Sequence, residues 1–502
     1  MAENKMEKLI ALCKRRGFIY PGSEIYGGLA NTYDYGPVGV ELLRNIKNLW
    51  WDYFVHARPD IVGIDGSIIS HHKIWEASGH VSGFADAMVD CKHCKARYRA
   101  DHLIEHYLED QSESQIKALA ENIEIGLETT DLISSKRKLQ NALRNKKVEG
   151  LAPKELGYLI NYLPVFCPEC KIEPTAWTSV RKFNLLFPVQ LGIVEGEGGM
   201  GYLRGETAQL IFTNFRNVVD STRVKLPFGI AQLGKSFRNE ITPGNSVFRT
   251  IEFEQGEIEY FFNPRETDWE YLFDEWKRTM DQFVTGKLGI KSENLRWRRH
   301  TDAELSFYSK RTEDMEYKFP FGFKELWGLA YRTDYDLARH MEASGQELVI
   351  TDPKSGEKIL PHVIEPAVGI NRLLLMILID AYTEEAPSAG SGQANRTVLK
   401  ISPKVAPYKV AVFPLLANKE ALVGKAREIF SELQKSLSVS FDDRGNIGKR
   451  YLYQDEIGTP WCVTVDFDSL EDDAVTVRDR DSMQQERVPV TALRDYFLSK
   501  LA

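Results

Sequence analysis

Two arginines flank a turn-forming cluster in the run SFRNEITPGNSVFRTIEFEQGE: Arg238 precedes Thr242-Pro243-Gly244-Asn245 and Arg249 follows it. Pro, Gly and Asn together favour a turn or short loop. Strand-type residues on both sides predict two antiparallel arms that bring the guanidiniums together on one sheet face. Paired guanidiniums suit a polyphosphate, whose oxygens accept forked hydrogen bonds. Side chains repeat every second residue along a strand, so Phe253 and Glu257 extend the face that Arg249 begins. Cation, aromatic plate and carboxylate then form one ladder, on which a base could stack. A solvated hairpin laced by cross-strand ion pairs fits the same spacing.

The second constellation is sulfur. Cys91-Lys92-His93-Cys94 and Cys167-Pro168-Glu169-Cys170 each have the gap of a zinc knuckle. Two such pairs predict a closed four-thiolate Zn²⁺ site, which is structural rather than catalytic; loops that merely pack can carry the same pairs. A disulfide suits a reducing compartment poorly. Cys13 and Cys462 stand alone and read as small apolar fillers.

These groups need a scaffold. A chain of 502 residues exceeds one small core and predicts two to four domains. Apolar content of 43% and charge of 27% are those of a soluble globular protein. No apolar run is long enough for a membrane span. The N-terminal MAENKMEKLIALCKRRGF lacks a signal-type apolar core, which points to the cytoplasm. A net charge of −8 disfavours loose, sequence-blind nucleic-acid binding, so DNA is not expected, whereas local basic patches leave RNA open. Residues 37–55 place Leu42, Leu43, Ile46, Leu49, Trp50, Tyr53 and Phe54 at helical spacing, as core or as a subunit interface. Residues 101–160 are charged and helical in pattern, an insertion between the cysteine pairs. From 180 to 375, runs such as FEQGEIEYFF predict an antiparallel sheet with few helices. Residues 383–395 read as a linker. Beyond it YKVAVFPLL, SVSF, WCVTVDF and AVTVRDR alternate with helical patterns, a separate α/β domain.

Phe237-Arg238-Asn239-Glu240 followed by Arg249, Phe253 and Glu257 resembles motif 2 of the class II aminoacyl-tRNA synthetases. The runs YPGSEIYGGLANTYDYGPVGVEL, WEASGH, LRGETAQLIFTNF, RTDYDLARH, PHVIEPAVGINR and VTVRDRDSM narrow the resemblance to the glycyl enzymes of homodimeric type, in order over nearly the whole chain. The resemblance implies an α+β fold. Its catalytic core, an antiparallel sheet flanked by helices, would occupy residues 1–90 and 176–385. A helical insertion with the zinc knuckles would span 91–175, a linker 386–397, and an anticodon-binding α/β domain 398–502. It also implies activation of glycine by ATP and transfer of glycyl to the 3′ end of tRNA(Gly).

By that resemblance Arg238 holds the α-phosphate and the glycine carboxylate, Arg249 reaches the γ-phosphate, and Phe253 stacks on adenine. Arg372 covers the other side of the base, and Glu325 with Leu326 matches the ATP- and Mg²⁺-binding pair. Asn239, Glu240, Phe248, Thr250, Ile251 and Glu252 complete the motif 2 contacts to ATP, and Gly369, Ile370 and Asn371 those of motif 3. Glu206, Glu257 and Glu365 cluster as a seat for the glycine ammonium. Phe253, Glu254, Gln255, Gly256, Pro366, Ala367, Val368 and Gly369 complete that pocket. Arg99 matches a substrate-binding arginine, with Arg97 a competing candidate.

The chain departs from the family pattern at four places: Gly205 for Pro, Ile251 for a second Arg, Ala367 for a Ser that binds the ammonium, and Asn371 for an acid before Arg372. In the C-terminal domain Arg444, Lys449 and Arg450 beside Tyr451 and Tyr453 suit splayed RNA bases; the start of a capped helix fits the run equally. A synthetase-derived accessory protein without catalysis would be expected to lose Arg238, Arg249 or Arg372, and all three are present. Ala367 leaves room for a relative that activates another small amino acid.

Overall fold

The computed structural model describes residues 2–83, 85–123, 130–148, 151–192, 199–240, 244–301, 305–306, 308–352, 355–385 and 396–501. It divides into two compact units. One comprises Met1–Ile68, Glu206–Ser236 and Gly244–Ala502, and the other Ile69–Gly205 with Phe237–Pro243. The second is wider than the cysteine-bounded stretch 91–175.

In the first unit seven strands form one sheet: β1 (Ile61–Gly63), β2 (Phe228–Phe237), β3 (Glu252–Phe262), β4 (Leu295–Arg299), β5 (Arg311–Phe319), β6 (Gly322–Thr333) and β7 (His362–Gly369). Their order is β4-β5-β6-β7-β3-β2-β1. The ladders of β3, β4, β5, β6 and β7 are antiparallel, while β1 lies parallel to β2. Strand alternation splits the sheet into two differently filled faces. Ile258, Tyr260, Ile364, Val368, Trp327 and Leu329 meet helix α1 (Pro37–Trp51) and the apolar helix α5 (Ile370–Ala381) in the larger core. Phe261 and Val363 point the other way, against Phe212 and Phe215 of α2 (Ala208–Ser221) and Leu337 of α4 (Tyr335–Ser344). A third helix, α3 (Trp269–Gln282), adds Phe273, Trp276 and Met280 to the larger core, N-capped by Asp268.

Pro37 opens α1, where a missing N–H costs nothing. Leu42, Ile46, Trp50 and Phe54 are completely buried in the chain's own core, each stabilising it by about 1.5–3 kcal/mol. The stripe expected as core or interface is therefore core.

After residue 395 the chain alternates as expected: β8 (Val410–Pro414), α6 (Glu420–Leu433), β9 (Val439–Phe441), α7 (Ile447–Ile457), β10 (Trp461–Val465), β11 (Ala474–Asp479), β12 (Gln485–Pro489) and α8 (Leu493–Leu501). The sheet order is β9-β8-β10-β11-β12, parallel at β9-β8-β10 and antiparallel beyond. Residues 386–395 of the expected linker lie outside the described residues. Its ends do not read as linker: Tyr382–Glu385 pairs antiparallel with Arg396–Leu399, so 396–397 belong to a strand.

In the second unit, Ala85–Asp90 pairs with Arg97–Arg99 and Arg181–Asn184. Helices Ala100–Glu109, Glu113–Glu121, Thr130–Arg144 and Pro153–Tyr162 follow between the cysteine pairs. Leu103, Ile104, Leu143, Leu156 and Leu159 form their core. Ser112 and Gln115 cap the second helix reciprocally. No described helix is long and apolar enough to cross a membrane.

Candidate active site

The face of β3 that carries Phe261 also carries Gln255, Glu257 and Glu259. On β7 the matching face carries Glu365 and Ala367, with Glu257 opposite Ala367. Gly328 and Ala330 of β6 lie opposite Ala367 and Glu365. Buried carboxylates gather here: Glu206, Glu257, Glu259, Glu365 and Asp336, with Arg332 the cation among them within the described residues.

Side chains from several elements hold all of them but one. Arg332 donates from Nε and Nη2 to Asp336 at 2.8 and 2.9 Å, and from Nη1 to Glu365. Its guanidinium lies 4.0 Å from the centre of the Tyr308 ring. Gln209 Nε2 donates to Glu206 at 3.1 Å and to Asp336 at 2.9 Å, while its carbonyl oxygen meets His340 Nε2 at 2.9 Å. Thr207 donates its hydroxyl to Glu257, and Gln255 Nε2 reaches the other oxygen at 2.8 Å. Glu259 differs: it is wholly buried, and neither oxygen has a hydrogen-bond partner among the described residues.

So many buried carboxyls cannot all ionise. Burial pushes Glu365 up to about 8 against the pull of Arg332, and the charges of Glu257, Glu206 and Asp336 add to the rise. Burial, then the charge of Glu365, hold Glu259 well above the usual carboxylate range. Several carboxyls here share the guanidinium of Arg332, an arrangement that suits an ammonium.

The same alternation corrects two contiguous expectations. Of Phe253–Glu257, Glu254 pairs with Lys47 of α1 at 2.8 Å, and a Cβ on Gly256 would meet Leu233 and Trp50 at 3.0 and 3.1 Å. Of Glu365–Gly369, Val368 is core and Pro366 shares its side of the strand. Side-chain contact with the carboxylate pocket therefore falls to Gln255, Glu257, Glu365 and Ala367. Leu326 and Ile370 are likewise wholly buried core residues.

At the sheet's edge Arg372 donates from Nη1 to the Glu325 carbonyl at 3.0 Å and pairs with its carboxylate at 3.1 Å. Its Nε reaches the Phe248 carbonyl at 3.3 Å, and its guanidinium lies 4.5 Å from that ring's centre. Asn371 joins two elements: its oxygen accepts from the Glu254 N–H at 2.6 Å and its amide donates to the Tyr35 hydroxyl. With Tyr33, Asp34, Lys235, Thr250, Glu252 and Phe253 these residues line a cavity of about 160 Å³. Glu252 pairs with Lys235, Thr250 donates to the Glu252 carbonyl at 2.7 Å, and the Ile251 N–H donates to the Asn31 carbonyl at 3.0 Å.

The expected arginine ladder is only partly a strand. Arg249 bridges Gly244 outside β3, and a bend at Ile251 separates it from Phe253, so its face is not set by alternation alone. Arg238 follows β2 within the second unit and donates from Nε to the Gly205 carbonyl at 2.9 Å. There the Asn239 N–H donates to the Leu185 carbonyl at 2.8 Å and the Glu240 N–H to the Arg238 carbonyl at 2.7 Å. Thr242 and Pro243 of the expected turn lie outside the described residues.

Also in the second unit, Arg99 pairs with Asp101 at 2.5 Å and Arg97 with Asp90 at 2.6 Å. Arg99 lines a cavity of about 530 Å³ with His102, His106 and Tyr107, and Arg97 is not among its lining residues. The four sulfurs of Cys91, Cys94, Cys167 and Cys170 lie within 4.8 Å of one another. Cys91–Cys170 and Cys94–Cys167 are 3.7 and 3.5 Å apart, too far for disulfides. Four sulfurs at about 2.3 Å from a tetrahedral Zn²⁺ stand about 3.8 Å from one another, so this donor set fits that ion. Burial opposes ionisation of Cys167, yet the N–H groups of Cys170 and Glu169 bring it down to about 6, which favours the thiolate a metal needs.

In the C-terminal sheet domain the proposed RNA set shrinks. Arg450 is buried, donating to the carbonyls of Arg444, Asp443 and Gly445 at 3.1, 3.0 and 2.8 Å and to that of Pro414. It locks the entry to α7, which Asn446 caps through the Lys449 N–H at 2.9 Å. Tyr451 bonds Thr464 at 2.6 Å, and Arg16 lies 4.7 Å from the Tyr453 ring centre. Arg444 and Lys449 remain exposed.

Residues 195–381 match the tRNA synthetase class II core domain (G, H, P, S and T), and 409–500 match an anticodon binding domain. The fold is that of a class II tRNA synthetase. Residues 86–185 match the glycyl-tRNA synthetase insertion domain 1. The chain is 49% identical to the glycine--tRNA ligase of Clostridium perfringens over 98% of its own length and 97% of the relative. It is 48% identical to that of Clostridium acetobutylicum over 99% of each, and 49% to that of Geobacillus thermodenitrificans over 99% and 98%. The chain belongs to the glycine--tRNA ligase family, and nothing favours a catalytically inactive accessory protein.

Proposed function

We propose that this protein activates glycine with ATP to glycyl-adenylate and pyrophosphate, then passes glycyl to the 3′ end of tRNA(Gly). The observation that carries this reading is the buried cluster of Glu206, just before α2, with Glu257 and Glu365 on the central sheet beside Ala367 and Gly328. It suits a small ammonium and offers no seat for a second anion.

Activation is in-line attack of the glycine carboxylate on the α-phosphorus, so the protein supplies position and charge. Arg238 steadies the α-phosphate and glycine carboxylate, and Arg249 the γ-phosphate. Phe253 and Arg372 cover the two sides of adenine. Phe253 lines the cavity beside Thr250, Glu252 and Asn371, which suits its part of that placement. Asp314 is buried, and burial with the charge of Glu325 raises its carboxyl against the pull of His300. A divalent cation relieves that repulsion, so Glu325 and Asp314 fit Mg²⁺, which when bound neutralises phosphate charge. The thiolates of the insertion hold Zn²⁺ as a structural brace. Arg99 contributes to substrate binding from the insertion. Arg444 and Lys449 contact the anticodon. Cytoplasmic work as a homodimer completes the reading; the α1 stripe is core, whereas Ile25, Tyr26 and Leu29 are exposed and apolar.

Glycine-dependent exchange of pyrophosphate into ATP, with alanine and serine as competitors, tests it. Exchange with glycine alone is expected. Absence of glycine-dependent exchange overturns the reading.

A further inference from the structure

Resting on that reading, the buried side of the ammonium pocket carries a consequence for how glycine enters. The β3–β7 register pairs Glu257 with Ala367 and Tyr260 with Ile364. Continued, it sets Glu259 opposite Glu365, on the pocket face. Glu259 is 0% exposed, and both its oxygens lack any hydrogen-bond partner among the described residues. A buried carboxylate without partners is costly, and neutralisation is the usual escape.

The groups facing this pair are Glu257 on its own strand, Arg332 on β6, Asp336 on α4, and Glu206 and Tyr308 beside Glu365. Arg332 commits two of its nitrogens to Asp336. One guanidinium arm is left for Glu365, and none of its hydrogen bonds reaches Glu259. Burial and like charges raise both carboxyls.

We propose that the facing pair Glu259 and Glu365 carries one proton in the free enzyme, and that entry of the glycine ammonium expels it to solvent. The cation takes over the proton's electrostatic work. The carboxyl becomes carboxylate, its proton leaves, and no covalent bond of glycine changes. Glu365, which retains some exposure, is the exit, and Glu259 is the positioning residue that keeps the proton in place. A small carboxylic acid without an ammonium has nothing to exchange for that proton, so the device adds selectivity that an apolar wall cannot give to the smallest amino acid.

Calorimetry of glycine binding to the full chain, in buffers of different ionisation enthalpy, reads the exchange. Near pH 7 the wild type should release about one proton per glycine bound, and glycine affinity should rise up to about tenfold per pH unit below the titration of the pair. The Glu259→Gln variant should release much less and flatten the pH profile of the glycine KM, with that of ATP as internal control. Glycine binding without proton release, or equal release from variant and wild type, overturns the proposal. Should the variant fail to fold, the wild-type measurement decides alone. Lack of glycine binding altogether would instead refute the function on which the inference rests.

Discussion

Arg332→Met tests whether one guanidinium organises the carboxylate pocket. Methionine keeps the apolar stem and removes the charge. Three bonds are lost: two to Asp336, at 2.8 and 2.9 Å, and one to Glu365. Breaking a buried pair by deleting one partner costs about 3–5 kcal/mol. Two partners do not double that figure here. Glu365 already sits near 8 and can keep a proton at little cost. Asp336 retains the Gln209 amide at 2.9 Å. The expected loss is therefore at the lower end, about 3 kcal/mol. At about 2–4 °C per kcal/mol for a cooperative unit of 150–250 residues, calorimetric melting should fall by about 6–12 °C. Glycine KM should rise more than ATP KM. Arg332→Met combined with Asp336→Leu should recover most of the loss, because the stranded anion is gone. A loss under about 1 kcal/mol, or strictly additive costs, would refute the reasoning.

Chelation, or Cys170→Ser, should remove one Zn²⁺ per chain and the hydrogen-exchange protection of the insertion while leaving the central sheet protected, given apparent binding energies of about 10–16 kcal/mol for structural zinc; elemental analysis and exchange mass spectrometry read both. Asn371→Leu should cost about 1–3 kcal/mol by orphaning the Glu254 N–H and the Tyr35 hydroxyl. ATP KM should rise, and Asn371→Asp, which keeps the acceptor, should retain most function in exchange assays. Ala367→Ser should lower glycine KM about 2–12-fold, the worth of one hydrogen bond. Because burial raises Glu365 from 4.5 to about 8, its stabilising contribution is complete below 4.5 and is lost as pH rises through 8. Melting temperature should therefore fall over that window, with a flatter slope in Glu365→Gln.

Motifs in the sequence point to the outer chemistry and miss its supports. Arg372 and Glu325 are legible through the family resemblance of their motifs, whereas the cysteine pairs announce themselves because type and spacing are local. Arg332, Asp336, Gln209 and His340 do not. Gln209 meets Asp336 across 127 positions and His340 across 131, a contact that only folding creates. Glu259 is within reach of the sequence: an acid two residues after Glu257 shares its face. Arg450 erred the other way. Beside two tyrosines it has the composition of an RNA contact, yet its planar fork matches a ring of carbonyls at a helix entry. Composition cannot tell a solvent-facing cation from a buried one.

One strand thus serves two purposes through alternation. The odd residues Gln255, Glu257 and Glu259 of β3 set the charge of the amino-acid pocket. The even residues Glu254 and Gly256 tie the strand to Lys47 and Trp50 of α1. The Asn371 side chain holds the Glu254 N–H, so the nucleotide-side loop and the ammonium pocket share one backbone. A shift of β3 by one residue would send Glu257 into the aromatic core and Ile258 into the pocket, reversing both at once. The packing of Gly256 against Trp50, with no Cβ to intervene, fixes that register. The chemistry on one face of the sheet is therefore set by a glycine on the other.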